Sequence, residues 1–91
     1  MGISALRWDL ERSPVRKAVV LRRIDPESHT HRFYSLTVER DLFGQVVLVR
    51  NWGRIGTRGR EMVEEHATED EAIKAMERLA ERKRRRGYED L

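Results

Sequence analysis

With 91 residues the chain has room for one domain, and a chain this short buries only about 60–65% of its unfolded surface, so its core has to be built efficiently. Charged and hydrophobic residues each make up 38% of it, a mixture that suits a soluble domain with a modest core. The absence of cysteine excludes disulfides and thiolate metal sites, and 19 Lys plus Arg against 16 Asp plus Glu leave a net charge of only +3.

Residues 1–16 show no sustained period and contain Pro14, which reads as a flexible N-terminal arm with Trp8 as its candidate anchor. That opening is too short and too polar for a secretory signal, and no apolar run approaches the roughly 18 residues that span a bilayer. A cytoplasmic location without membrane contact is the resulting expectation. A domain is expected over 17–91. From Lys17 the chain turns β-branched: Ala18 to Ile24 reads as a first strand, ended by Asp25-Pro26. A polar loop reaches His31. Arg32 to Arg40 then alternates, with Tyr34, Leu36 and Val38 on one face and Ser35, Thr37 and Glu39 on the other. Asp41-Leu42-Phe43-Gly44 is a hairpin connection, and Gln45 to Trp52 a third strand. Gly53 to Gly59 carries three glycines in seven residues, so the backbone can turn sharply or approach a ligand there. Arg60 to His66 gives a fourth strand of weak alternation.

The last element is a helix. Thr68-Glu69-Asp70-Glu71 fits a capping box, and acids in the first turn with bases in the last suit the helix dipole. Ala72, Met76, Leu79 and Lys83 follow helical spacing with Ile73 and Ala80 beside them, and Gly87 is a stop signal. The predicted architecture is α+β: an antiparallel β-meander of about four strands with one C-terminal helix packed on one face.

Charge distribution is more informative than its sum. Arg50, Arg54, Arg58 and Arg60 occupy one stretch without an acid, and Arg82-Lys83-Arg84-Arg85-Arg86 forms a second, while acids gather between Glu61 and Glu77. Two arginine-dense patches separated by an acidic segment predict a polarised surface that attracts phosphate. Within the first patch, Asn51-Trp52-Gly53-Arg54-Ile55-Gly56-Thr57-Arg58-Gly59 joins a stacking side chain to a permissive backbone and arginines. An indole stacks on an unpaired base for about 1–3 kcal/mol. Guanidinium forks match phosphate oxygens, and glycine lets backbone N–H groups, such as that of Gly53, approach the same anion. Trp52 also shares strand parity with Val46 and Leu48, so core burial is an equally physical reading of it. Arg84 and Arg85 are read either as phosphate contacts or as satisfying the helix dipole, and Tyr88 either as a stacking ring or as a cover for the core. Phe43 at the loop tip is open in the same way.

Trp52-Gly53-Arg54, followed by Ile55-Gly56 and Gly59, resembles the signature of the WGR domain. Arg32-Phe33-Tyr34 is similar to that family's basic-aromatic-tyrosine strand opening. Ala72 falls where its helix carries alanine, and Lys83 through Gly87-Tyr88 resembles the helix end of its short bacterial members. The resemblance runs from about Ala18 to Tyr88. It implies an antiparallel sheet with a helix on one side. In eukaryotic poly(ADP-ribose) polymerases this domain binds DNA at strand breaks and relays that binding to a separate catalytic domain. The motif tryptophan there packs on the terminal nucleotide, and the motif arginine contacts DNA or a neighbouring domain. Carried over, these roles fall to Trp52 and Arg54, with Arg32 near a terminal phosphate. His31 and His66 depart from that version, where asparagine and an aromatic are common.

His29-Thr30-His31 has no firm third ligand and reads as a solvated loop, so neither a metal nor a cofactor is expected. No nucleophile motif or acid–base pair points to an enzyme. The expectation is a non-catalytic nucleic-acid-binding module, for DNA above all, contacting backbone phosphate through Arg32, Arg54, Arg58, Arg60, Arg84 and Arg85. Trp52 would stack, Gly53 and Tyr88 would lie at the site, and ends or nicks would be preferred. The alternative is a protein–protein adaptor using the same Trp-Arg surface, since both residue types anchor protein interfaces.

Overall fold

The computed structural model describes residues 15–91. Trp8 and residues 1–14 of the expected arm lie outside them, while Val15 and Arg16 already belong to the first strand. Four long strands follow one another as an antiparallel meander: β1 (Val15–Asp25), β2 (Thr30–Arg40), β3 (Val46–Arg54) and β4 (Arg60–His66). Helix α1 (Glu69–Arg85) comes next, and the two-residue β5 (Glu89–Asp90) then returns to the far edge, giving the order β4-β3-β2-β1-β5.

Local chemistry sets the joints. In the β2–β3 connection the Asp41 carboxylate accepts N–H bonds from Phe43 and Gln45, each 2.9 Å, and Gly44 takes the positive φ of +79°. The loop tip projects outward, and Phe43 is 90% exposed, which excludes it from the core. At the start of α1 the Thr68 hydroxyl accepts the Glu71 N–H at 3.1 Å. At its end Gly87 N–H bonds Arg84 C=O and Tyr88 N–H bonds Lys83 C=O, both at 3.0 Å, with Gly87 at φ +95°. This paired closure is a Schellman motif, and it turns the chain so that Tyr88 folds back beneath the helix end.

Strand register sorts the side chains onto two faces. Leu21, Tyr34, Leu36, Val38, Val46 and Leu48 face α1, which presents Ala72, Met76 and Ala80 to them. Ala80 therefore takes the central position for which spacing favoured Leu79, and Leu79 flanks it half-buried. Alanine at both ends of the contact lets the helix approach the sheet closely, and Met76 fills the gap between. The result is a slab of 47 × 35 × 19 Å, one helix layer on one sheet layer. On the other face Val20, Ser35, Thr37, Val49, Asn51 and Val63 lie half-buried or exposed, as an antiparallel sheet permits.

Candidate nucleic-acid interface

The strand β3 does not stop at Trp52. It runs through Gly53 to Arg54, so the motif is extended backbone and only the next five residues form the loop. The expectation that the turning segment begins at Gly53 is corrected accordingly. A tight turn closes the loop: Arg54 C=O accepts the Thr57 N–H at 3.1 Å and the Thr57 hydroxyl at 2.7 Å, and Gly56 supplies φ +93°. The Asn51 amide then donates to the carbonyls of Arg60 (3.1 Å) and Arg58 (3.4 Å), binding the outgoing chain back to β3.

Gly53 and Gly59 are required by this crossing. A Cβ on Gly53 would stand 2.8 Å from Gly59 Cα, and one on Gly59 would stand 2.4 Å from Trp52 O and 2.8 Å from Phe33 Cζ. Two backbones touch here above the Phe33 ring. Gly53 has the opposite parity to Trp52 and faces away from the helix side. Its observed contacts are the packing of the loop.

Trp52, Arg54 and Arg60 stand together on the helix side. Trp52 pairs with Tyr34 on one neighbouring strand and Arg60 on the other, and Arg54 pairs with Arg32. The indole is half-buried, packed against the core and stacked on Tyr34 with ring centroids 5.8 Å apart at 19°. Core burial of Trp52 is thus met in part: the indole packs against the core while the residue remains partly open to solvent. Arg32, Arg54, Arg58 and Arg60 are exposed, and none has an ion-pair partner among the described residues. Beside Arg32 and Arg54 a polar hollow is lined by Ser28, His29, Thr30 and His31. The two guanidinium groups oppose a metal cation there.

The second basic patch separates on inspection. Arg84 grips Asp90 with a two-pronged fork, 2.7 and 2.8 Å. That bond holds the Asp90 carboxyl below its ordinary range and raises the Arg84 guanidinium further above its own. Arg84 is therefore committed to holding β5, and Arg85, exposed, lies 3.7 Å from Glu81. Arg82, Lys83 and Arg86 turn instead toward Tyr34 and Arg50. Lys83 sets its ammonium 4.5 Å from the Tyr34 ring centre and 5.6 Å from that of Tyr88. Its pKa is lowered, by burial first and then by repulsion from Arg86, Arg50 and Arg82. Tyr88 is half-buried, edge-on to Tyr34 at 6.4 Å, and packed against the core.

Sequence reasoning places Arg50 in the first arginine-dense patch but not among the expected contacts, and it misses Tyr34 as a member of this surface because its strand reads as core. A signal was present. Tyr34 and Trp52 are equally distant from Phe43 at the hairpin tip, so a tight turn there pairs them across the strands.

Comparison with known proteins agrees with this architecture. The chain is 41% identical over 68 residues to the uncharacterized protein y4dW of Sinorhizobium fredii, a match that covers 75% of this chain and 33% of that protein. A crystal structure of a Bacteroides fragilis protein superposes with a TM-score of 0.68 at 25% identity, over 82% of this chain and 19% of that one. The chain thus spans about a third of the first relative and about a fifth of the second. The model of the WGR domain matches residues 17–91, all but the N-terminal end of the sequence, and by that match the chain belongs to the WGR domain family.

Proposed function

We propose that this domain binds nucleic acid, DNA in the first place, by seating backbone phosphates on Arg32, Arg54, Arg58 and Arg60 while Trp52 stacks on an exposed base or terminal sugar. The WGR domain is a non-catalytic module found in nucleic-acid-binding contexts. The observation that carries the reading is the convergence, fixed by strand register, of a half-buried indole with arginines that have no ion-pair partner among the described residues. Phosphate contacts of this kind position a ligand without reading its sequence. A stacking ring adds a preference for ends, nicks or single-stranded junctions, because an intact duplex offers no free base face.

The test is fluorescence anisotropy with a 5′-phosphorylated nicked duplex and an unbroken hairpin-closed one, each at two salt concentrations. Arg54→Gln/Arg60→Gln removes phosphate partners, and Trp52→Phe keeps a ring on Tyr34 while shortening its reach. We expect wild-type affinity to fall by at least about tenfold between 50 and 200 mM salt, the nick to bind more tightly, and both variants to bind more weakly. Equal affinity for the two duplexes removes the end preference. No binding by the folded wild type overturns the reading and favours a protein partner on the same surface.

A further inference from the structure

Between the last turn of α1 and β3 lies a hollow of about 150 Å³ walled by Tyr34 and Leu79 and rimmed by Arg50, Arg82, Lys83 and Arg86. No carboxylate lines it. Of the four cations only Arg50 has an acidic partner among the described residues, Glu64 at 2.7 Å, and the buried Arg50 Nε has no acceptor among them. Arg82, Lys83 and Arg86, with no acidic partner among the described residues, thus gather at one helix end and face the Arg50–Glu64 pair across the hollow, and their mutual repulsion costs stability in the free protein. From this geometry we infer a second phosphate subsite, at which Arg82, Lys83 and Arg86 take the oxyanion and Arg50 closes it from the sheet.

The lowered pKa of Lys83, caused first by burial and then by repulsion from Arg86, Arg50 and Arg82, is compatible with this, since an anion among these cations would offset the repulsion. Position gives the subsite its ligand. Tyr34 links it to the primary surface, lying 5.8 Å from the Trp52 ring centre and 4.5 Å from the Lys83 ammonium. A nucleic-acid strand advancing by about 3.4 Å per nucleotide reaches from one to the other within a few nucleotides. The subsite then takes an internal backbone phosphate of the strand whose exposed face meets Trp52. In that form the inference rests on the nucleic-acid reading above, whereas the phosphate chemistry of the hollow does not.

Two measurements separate them. In the first, binding of the nicked duplex is followed against salt for the wild type, for Arg82→Gln/Arg86→Gln, and for Arg22→Gln. Both substituted groups in the double variant are exposed and unpaired among the described residues, so the fold is preserved. Arg22 is an exposed arginine of β1 on the opposite face. The double variant is expected to bind about tenfold more weakly at moderate salt, with the slope of log K against log salt shallower by about one, as for the loss of one phosphate contact. Arg22→Gln is expected to stay close to the wild type. In the second, inorganic phosphate is titrated while the Lys83 side-chain and Tyr34 ring resonances are followed. Lys17 and Lys74, paired with Glu77 and Asp70, are the internal controls. Lys83 and Tyr34 are expected to shift and saturate in the wild type, and to stay still in the double variant. If the wild type binds DNA but the double variant behaves as Arg22→Gln does, the subsite is overturned and the nucleic-acid reading stands. If DNA does not bind but Lys83 and Tyr34 respond to phosphate, the hollow is an anion site for another phosphate source and the nucleic-acid reading falls. If Lys83 moves no more than Lys17 and Lys74, there is no phosphate site.

Discussion

Gly56 and Gly59 both adopt a positive φ, at +93° and +73°, yet the space around them differs. Nothing lies within 4 Å of a Cβ on Gly56, whereas one on Gly59 meets the Trp52 carbonyl at 2.4 Å. Gly56→Ala is therefore expected to cost only the left-handed penalty of about 1–2 kcal/mol. Gly59→Ala adds a backbone collision and should lose about 3 kcal/mol or more, with a change in Trp52 emission. Urea unfolding of the two variants decides it, and equal losses would refute the interlock. The sequence displays both glycines but not this distinction, because the clash is with a residue brought near only by the turn at Thr57. At Asp90 the prediction concerns pH. Its folded pKa is lowered, chiefly by the hydrogen bond from Arg84. Its contribution is therefore present above the unfolded carboxylate value of about 3.9 and is lost as pH falls through the lower folded value. A carboxyl resonance titrating at or above the ordinary midpoint, or unchanged by Arg84→Gln, would contradict this.

Helix and sheet meet through side chains of very unequal size. Met76 is fully buried between Ala72 and Ala80, so Met76→Ala leaves a void that the flanking alanines cannot fill. A loss of about 2–5 kcal/mol is expected in denaturant unfolding, with the circular dichroism spectrum of the folded state preserved. That α1 packs through Ala72 and Met76 was legible from the spacing of its apolar residues, and its start from Thr68. The β2 alternation and the hairpin at Asp41 were equally legible, since each depends on neighbours in sequence. The end of β3 was not, because glycine at position 53 imitates a loop when its true reason is the crossing of Gly59. Nor was β5 legible: a two-residue strand has no period, and it exists through the Arg84 fork to Asp90 and the bond from Leu91 N–H to Val20 C=O at 3.0 Å. The candidate site divides in the same manner. Trp52, Arg54 and Arg60 stand out as a cluster in sequence, whereas the separation of Arg84 from Arg82 and Arg86 depends on where the C-terminal residues fold back.

At the scale of the whole molecule the near-neutral composition conceals an asymmetry. Arg32, Arg50, Arg54 and Arg60 share the helix side, while Glu39, Glu61 and Glu65 alternate onto the open face. Glu61 follows Arg60 in β4 on the opposite face, so a single sheet layer separates it from that side, a distance comparable with the screening length of roughly 8–10 Å at physiological ionic strength. Glu61→Gln/Glu65→Gln is thus expected to change DNA affinity by less than about twofold near 0.15 M salt, and by visibly more near 0.01 M, where the screening length is about 30 Å. An effect independent of salt would mean that the open face touches the ligand directly. The stack of Trp52 on Tyr34 has a practical corollary. The indole joins the core to the proposed phosphate surface, so its emission belongs to the folded state and to the bound state at once. The chain holds two tryptophans, Trp8 and Trp52. With Trp8→Phe the protein carries a single tryptophan, which can be excited apart from Tyr34 and Tyr88, and occupancy of the surface can be followed by light from an unlabelled molecule.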